Sequence, residues 1–423
     1  MKIIKTKQLL ILIFASLTLV VSCQPKGSKS NFIIEFQIPE FINGLSNNNS
    51  DPLFVRAMNI AAEQWKIQDS LDFVQLFGAV WDEIAPDENL SRVFESYKLN
   101  RMISSNSTND EVLFIINNIV ANMVENSIRV LNNRIDRFNA VLQKINYIGS
   151  DRFLYEIIVE DSARLFQLLQ ANGNFEFWET FDCRHPEDGI TLFIIDADKE
   201  IKKLADSDSQ INDLLFESVD ATVTICSETE KNMREYPLLS ILQINNDTDF
   251  GGSRIFRACV GRAHYSDTAK INEMLALPQI LAMKPNNLRF AWTNKPVGTD
   301  GVIYELIALK LNPLFGNEAP LTGEVIVDAY IEFNPASGSS YPHISISMNS
   351  IGAKIWSQLT KVNINKEIAI VFDGYVYCYP NVHNEITGGN SQISGNFTKQ
   401  EAKEIVNVLC SGKLPIPVKV IPQ

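Results

Sequence analysis

A chain of 423 residues with 45% hydrophobic and 21% charged residues is long enough for two or three domains, and its composition is neither that of a disordered tail nor that of a multi-span membrane protein. Its 37 Lys and Arg stand against 50 Asp and Glu, a formal net charge of −13, which argues against holding nucleic acid by phosphate neutralisation or lying on anionic lipid by charge. Six cysteines without a CxxC pair make neither a zinc site nor a thioredoxin-like redox motif.

The amino terminus reads as an address. Lys2, Lys5 and Lys7 precede an uncharged, mostly apolar run over residues 9–21. That run is too short for the roughly 30 Å of a bilayer core but suits a signal peptide. Small Ser22 before Cys23 fits a bacterial lipoprotein cleavage site, with the Cys23 thiol carrying the lipid. The plainer alternative is an ordinary signal peptide followed by an incidental cysteine. The expectation is a signal peptide over 1–22, a lipidated linker over 23–31, and a mature chain outside the cytoplasm, held to the membrane by its anchor. Cys183, Cys226, Cys259, Cys378 and Cys410 then remain, an odd number that leaves at least one thiol free and the pairing open.

Residues 32–38 alternate as a strand, and Asp51-Pro52 reads as a helix cap followed by proline in the first turn. Apolar residues from Leu53 to Trp81 recur at helical spacing, predicting two amphipathic helices. Thr108 and Glu111 form a capping box for a long helix whose stripe includes Val112, Ile116, Ile128, Leu131 and Ile135. A strand over 151–159, a helix over 162–169 and a strand over 174–178 follow. From 184 to about 246 the pattern weakens, and Asp196, Asp198, Asp206 and Asp208 mark an acidic insert, with a turn over 247–251. Ile344, Ile346 and Met348 alternate as a strand, and a helix capped near Asn349 carries Ile351, Ile355 and Leu359. Asp373-Gly374 between two apolar runs is a strong hairpin signal. Thr398 and Glu401 make a second capping box, Gly412 ends that helix, and Pro415 and Pro417 hold the tail extended.

Catalytic chemistry is not visible. The four histidines, His185, His264, His343 and His383, sit at no metal-ligand spacing, and no HExxH, GxSxG or phosphate loop occurs. The reading is non-enzymatic, without cofactor or metal.

Two stretches carry a resemblance. The first runs through Leu321-Thr322-Gly323, Asp328-Ala329 and Met348-Asn349-Ser350-Ile351-Gly352-Ala353-Lys354. It continues through Ile368-Ala369-Ile370-Val371-Phe372-Asp373-Gly374, Ile386-Thr387-Gly388-Gly389, Ile393-Ser394-Gly395-Asn396-Phe397-Thr398 and Ser411-Gly412-Lys413-Leu414-Pro415. The second includes Arg134-Ile135-Asp136-Arg137-Phe138 and Phe175-Glu176-Phe177-Trp178-Glu179-Thr180. Together they resemble the periplasmic region of SecD or the fused SecDF, in its long-insert version. The resemblance implies an α+β fold with a ferredoxin-like base and a protruding α+β head. The base would span 32–182 with a helical insert over 51–110, and the acidic insert 183–260. A connecting α/β segment over 261–319, the head over 320–412 and a returning base strand over 413–423 complete it. Asn139 stands where the family has glycine, and Glu160-Asp161 where it has Pro-Gly.

The implied function is that of a lipid-anchored accessory of Sec-dependent translocation in the cell envelope. Its implied partners are Sec translocon components and unfolded exported polypeptide, with Ile370, Phe372, Tyr375 and Tyr377 as candidate contacts; the plainer reading of any one of these four is a buried position in the β-hairpin core. The competing reading is a structural or assembly lipoprotein that keeps the fold without a translocation role. An exposed apolar groove in the head would favour the first, a smooth polar head the second.

Overall fold

Residues 27–67, 72–95, 99–149, 151–183, 189–207, 211, 232–244, 258–298, 300–312, 318–332, 341–395 and 397–423 are described by the computed structural model. Cys23, Cys226 and the 247–251 turn lie outside the described residues.

Alternation governs the first strand, β1 (Ser28–Phe36), which turns Phe32, Ile34 and Phe36 into the core. Four helices follow: α1 (Ile38–Leu45), α2 (Pro52–Ile67), α3 (Phe73–Ile84) and α4 (Ser91–Phe94). The strand expectation ran through Ile38, but Pro39 pre-sets the first turn of α1 and ends the strand two residues earlier. Asp51 caps α2 as anticipated, its Oδ1 accepting the Leu53 and Phe54 amides at 2.9 and 3.0 Å. Phe54, Phe77 and Phe94 meet edge to face at 5.7–6.5 Å and centre this helical insert.

The long helix α5 (Asn109–Arg137) begins with both bonds of the Thr108–Glu111 box and runs about 44 Å at 1.5 Å per residue. Asn139 adopts φ 57°, so asparagine supplies the left-handed turn into the next strands. These are β2 (Val141–Gly149) and β3 (Arg152–Val159), followed by α6 (Ser162–Gln170). Asp161 caps α6 by accepting the Arg164 amide at 3.1 Å, so Glu160-Asp161 starts the helix that follows β3.

Next come β4 (Phe175–Glu179), α7 (Ile190–Ser207), β5 (Gln243–Ile244), β6 (Cys259–His264), α8 (Thr268–Leu275), α9 (Pro278–Met283), β7 (Leu288–Trp292) and β8 (Ile303–Lys310). The last third adds β9 (Leu321–Thr322), β10 (Ile326–Glu332), β11 (His343–Met348), α10 (Ser350–Val362), β12 (Ile368–Phe372), β13 (Tyr375–Cys378), β14 (Asn390–Ile393), α11 (Lys399–Ser411) and β15 (Val418–Pro422).

Among the described residues the strands form four sheets, ordered β15-β1-β3-β2, β10-β11-β14, β13-β12-β4-β9 and β5-β6-β8-β7, with antiparallel pairing throughout. In the first, the path β1-α5-β2-β3-α6-β15 with spatial order fourth, first, third, second is the ferredoxin-like arrangement. Gln170 clips the returning strand, donating to the Val418 carbonyl at 2.8 Å and accepting the Val420 amide at 2.9 Å. β4 is outside this sheet: it pairs with β12, in the stretch that the sequence reading gives to the head.

The main core runs without a break from β1, α5 and α6 into the inner faces of β4, β11, β12, α10 and α11. A second core lies under the β5-β6-β8-β7 sheet and is closed by α7, α8 and α9. The acidic stretch is therefore half wrong as an expectation, because α7 buries Ile190, Phe193, Ile194, Ala197 and Ile201 on one stripe. Asp198 is buried on that stripe, 2% exposed, where its Oδ1 accepts the Leu238 and Leu239 amides at 2.8 and 3.0 Å.

Burial raises the Asp198 carboxyl above its ordinary value, against the opposing pull of the Leu239 and Leu238 amides and Lys202. The folded state thus holds this proton more tightly than the unfolded chain does. That contribution to stability is complete below the ordinary carboxyl value and is lost as pH rises through the raised one. Asp198→Asn is expected to flatten the slope over that window. Asp198→Ala should cost about 2 kcal/mol at neutral pH by stranding two buried amides, both effects being read from urea midpoints across pH.

Candidate functional site

The β12–β13 hairpin carries the residues that the sequence singles out. Asp373 and Gly374 have φ 47° and 89°, the pair of positive angles that a tight primed turn requires. The Asp373 carboxylate accepts the Asn174 and Gly173 amides at 2.8 and 3.3 Å, and its own amide donates to the Asn174 carbonyl at 2.9 Å. The turn is thereby sewn to the segment that leaves the base.

β12 lies inside its sheet, and a core packs against each of its faces. Ile370 and Phe372, 3% and 8% exposed, pack in the main core, with Phe372 against Phe175 and Tyr377 at 6.2 and 5.5 Å. Ala369 and Val371 face the other way, against Trp178 and Ile307. Of the four candidate contacts, Ile370 and Phe372 are thus buried as folded, as the alternative reading of a hairpin core has them. Tyr375 at the turn is 54% exposed, and Tyr377 is half-buried. Burial, with Asp373, Glu401 and Glu404 nearby, pushes the Tyr377 hydroxyl up to about 12.

Beside Tyr377 lies a cleft of about 160 Å³ lined by Asn294, Lys295, Val297, Glu305, Tyr379 and Phe397. Lys295 spans its rim to Glu401 of α11 at 2.6 Å. In its wall Glu305, 2% exposed, accepts the Arg262 Nε and Nη2 at 3.0 and 2.9 Å and the Tyr379 hydroxyl. Burial foremost, then Glu305, raises the Tyr379 hydroxyl far above its ordinary value. This cluster joins β6 and β8 to the chain just past β13.

A second cluster closes the junction between base and head. Arg134 of α5 is fully buried, and its guanidinium donates to the carbonyls of Leu168, Ala171, Asn172 and Gly412. Asn407 of α11 donates to the Arg134 carbonyl at 3.1 Å, and the Leu414 amide to the Asn172 carbonyl at 2.7 Å. Burial lowers the guanidinium to about 10, with Asp373 pulling the other way, so it stays charged at neutral pH. Gly173 is needed here: a side chain there would come within 2.7 Å of the Arg134 Nη2. Sequence reasoning saw Arg134 as a motif residue without its burial, and missed Glu305 and Tyr379, whose partners lie 43 to 74 positions away.

One face of the β10-β11-β14 sheet is polar, exposed along its two outer strands and buried at Ser345 and His343 between them. Asp328, Tyr330 and Glu332 of β10 lie beside Ser347, Ser345 and His343 of β11, with Asn390 and Gln392 of β14 beyond. Among the described residues no helix is long and apolar enough to cross a membrane.

Residues 308–416 match the family described as SecDF, P1 head subdomain. The protein translocase subunit SecD of Rhodothermus marinus is 29% identical over 392 residues, which cover 92% of this chain and 59% of that protein. SecD of Magnetococcus marinus is 26% identical over 304 residues, 71% of this chain and 53% of its own length. The chain is thus similar to SecD over most of its length and to the SecDF head subdomain over residues 308–416. It matches SecDF of Thermus thermophilus at 42% identity over 100 residues, 24% of this chain and 13% of that one. A SecDF crystal structure in a super-membrane-facing form aligns with 71% of this chain and 27% of itself, at 21% identity and TM-score 0.37. Another SecDF structure aligns with 71% of this chain and 91% of itself, at 21% identity and TM-score 0.36. The SecD-like chain thus spans about three-fifths of the Rhodothermus subunit.

Proposed function

We propose that this chain works in protein export at the bacterial cell envelope. In this reading it is a lipid-anchored, non-enzymatic SecD-like domain that holds or guides exported polypeptide beside the Sec translocon. The relation to SecD over 92% of the chain carries the reading, since the relatives are named as protein translocase subunits. Cys23 after a short apolar leader supports attachment through lipid on the periplasmic side. Tyr375, exposed at the hairpin turn, is the candidate contact, with Tyr377 beside it.

The polar face of the head sheet favours a second reading, a divergent assembly lipoprotein that uses the same fold for another envelope partner. In-cell photo-crosslinking from position 375, with exposed Asp206 as control, separates the two. Adducts with exported chains or Sec components that vanish when secretion is blocked support translocation. An adduct with one unrelated envelope protein, indifferent to secretion, overturns it.

A further inference from the structure

We propose that the cleft beside Tyr377 takes up one aromatic ring of an extended polypeptide and holds the neighbouring peptide group through Asn294. This rests on the reading that the chain holds exported polypeptide, and names where and by which side chain.

The cleft has a mouth and a floor. Asn294, Val297 and Tyr377 line it half-buried, whereas Thr293, Val376 and Phe397 line it buried. The end of β7 is fixed against β13 there: Thr293 bridges to Val376, and the Asn294 amide donates to the Val376 carbonyl at 2.8 Å. On β13, Val376 and Cys378 pair with Val371 and Ile370, so Tyr377 is the extra residue of an irregularity, a feature that re-aims a side chain beside a site. The volume, about 160 Å³, is close to the roughly 150 Å³ of an apolar cavity that takes up one benzene ring. It is well below the roughly 300 Å³ at which small-molecule pockets begin.

The walls choose the guest. The Tyr377 and Phe397 rings stand 6.4 Å apart and 30° from parallel, and offer faces and edges to a third ring. Each charge lining the cleft is already answered within the protein, Glu305 by Arg262 at 2.9 Å and Lys295 by Glu401 at 2.6 Å. A charged guest would lose water there without gaining a counter-charge, whereas a ring loses only apolar hydration. Two polar groups are left over: among the described residues the Asn294 carboxamide and the Tyr377 hydroxyl make no hydrogen bond. A carboxamide carries both donors and an acceptor, the complement of one peptide unit. That pairing favours a ring carried on a polypeptide backbone over a free aromatic molecule. Exposed Tyr375, two residues before Tyr377, puts the cleft next to the candidate contact.

The test uses the full chain and fluorescent seven-residue peptides of Gly and Ser with Phe, Lys or Ala at the centre, read by anisotropy. The Phe peptide is expected to bind about tenfold more tightly than the other two. Val297→Phe fills the cleft with a ring of the protein's own and should cancel that preference, the urea midpoint showing that the fold is kept. Asn294→Ala gives up no bond of its side chain within the protein, and should weaken the Phe peptide about fivefold by removing its backbone partner. Absent binding, equal binding of the three peptides, or indifference of the Phe peptide to Asn294→Ala or to a folded Val297→Phe each overturns the proposal. So does a concentration-dependent dimer that Val297→Phe dissolves, since a second copy is then the occupant. Secretion-dependent crosslinks from position 375 without Phe-selective binding would sink the cleft alone. Phe-selective binding without such crosslinks would sink the translocation reading alone.

Discussion

Replacing Arg134 by alanine is expected to cost about 4 kcal/mol, measured as a shift of the urea midpoint. The side chain is fully buried, and its guanidinium serves four carbonyls on two separate stretches: Leu168, Ala171 and Asn172 at and just past the end of α6, and the Gly412 cap of α11. Alanine strands those acceptors and leaves a void that the packed core around Leu131 and Ile135 cannot collapse to fill. Arg134→Lys keeps the charge but offers three donors on one nitrogen, which cannot fan out to four carbonyls. It should cost about 2 kcal/mol. If both variants unfold within a few tenths of a kilocalorie of the parent, the junction is not held by this residue. The same bonds tie the exit and return of the head to the base, so the variants should also speed proteolysis near Asn172 and Gly412.

Glu305→Ala is expected to cost about 3 kcal/mol, because it leaves the Arg262 guanidinium and the Tyr379 hydroxyl without their shared acceptor. Tyr379→Phe should cost roughly 1 kcal/mol alone and almost nothing once Glu305 is already alanine. That non-additivity is the decisive reading, since two independent sites would simply sum. The cluster bonds β6 and β8 to the chain after β13, so its loss should loosen the hairpin and raise hydrogen exchange at Val376 and Cys378 before the base is affected.

Local chemistry was readable wherever it is complete within a few residues. Both capping boxes, the Asp51 cap and the Asp373-Gly374 turn stand as the sequence implies, because each is decided by groups one to three positions apart. The stripe of α5 was readable for the same reason. β2 was not: as an edge strand with two irregularities, half of it faces water and its period of two is blurred. α7 was hidden by its charges, although its apolar stripe was present, and the burial of Asp198 among them has no local sign.

The contact residues show the limit most plainly. An apolar run such as Ile368–Phe372 announces a buried strand, but not which neighbours bury it. Only pairing with β4 on one side and β13 on the other, and cover on both faces, turns Ile370 and Phe372 into core and leaves Tyr375 outside. Similarity to SecD was likewise legible, being carried by ordered short motifs. What the chain determined by itself is thus most of its elements, their caps and its likeness to SecD. Which charges are buried and how head and base are joined were decided by contacts tens to hundreds of residues apart, whose energies exist only once the fold brings them together.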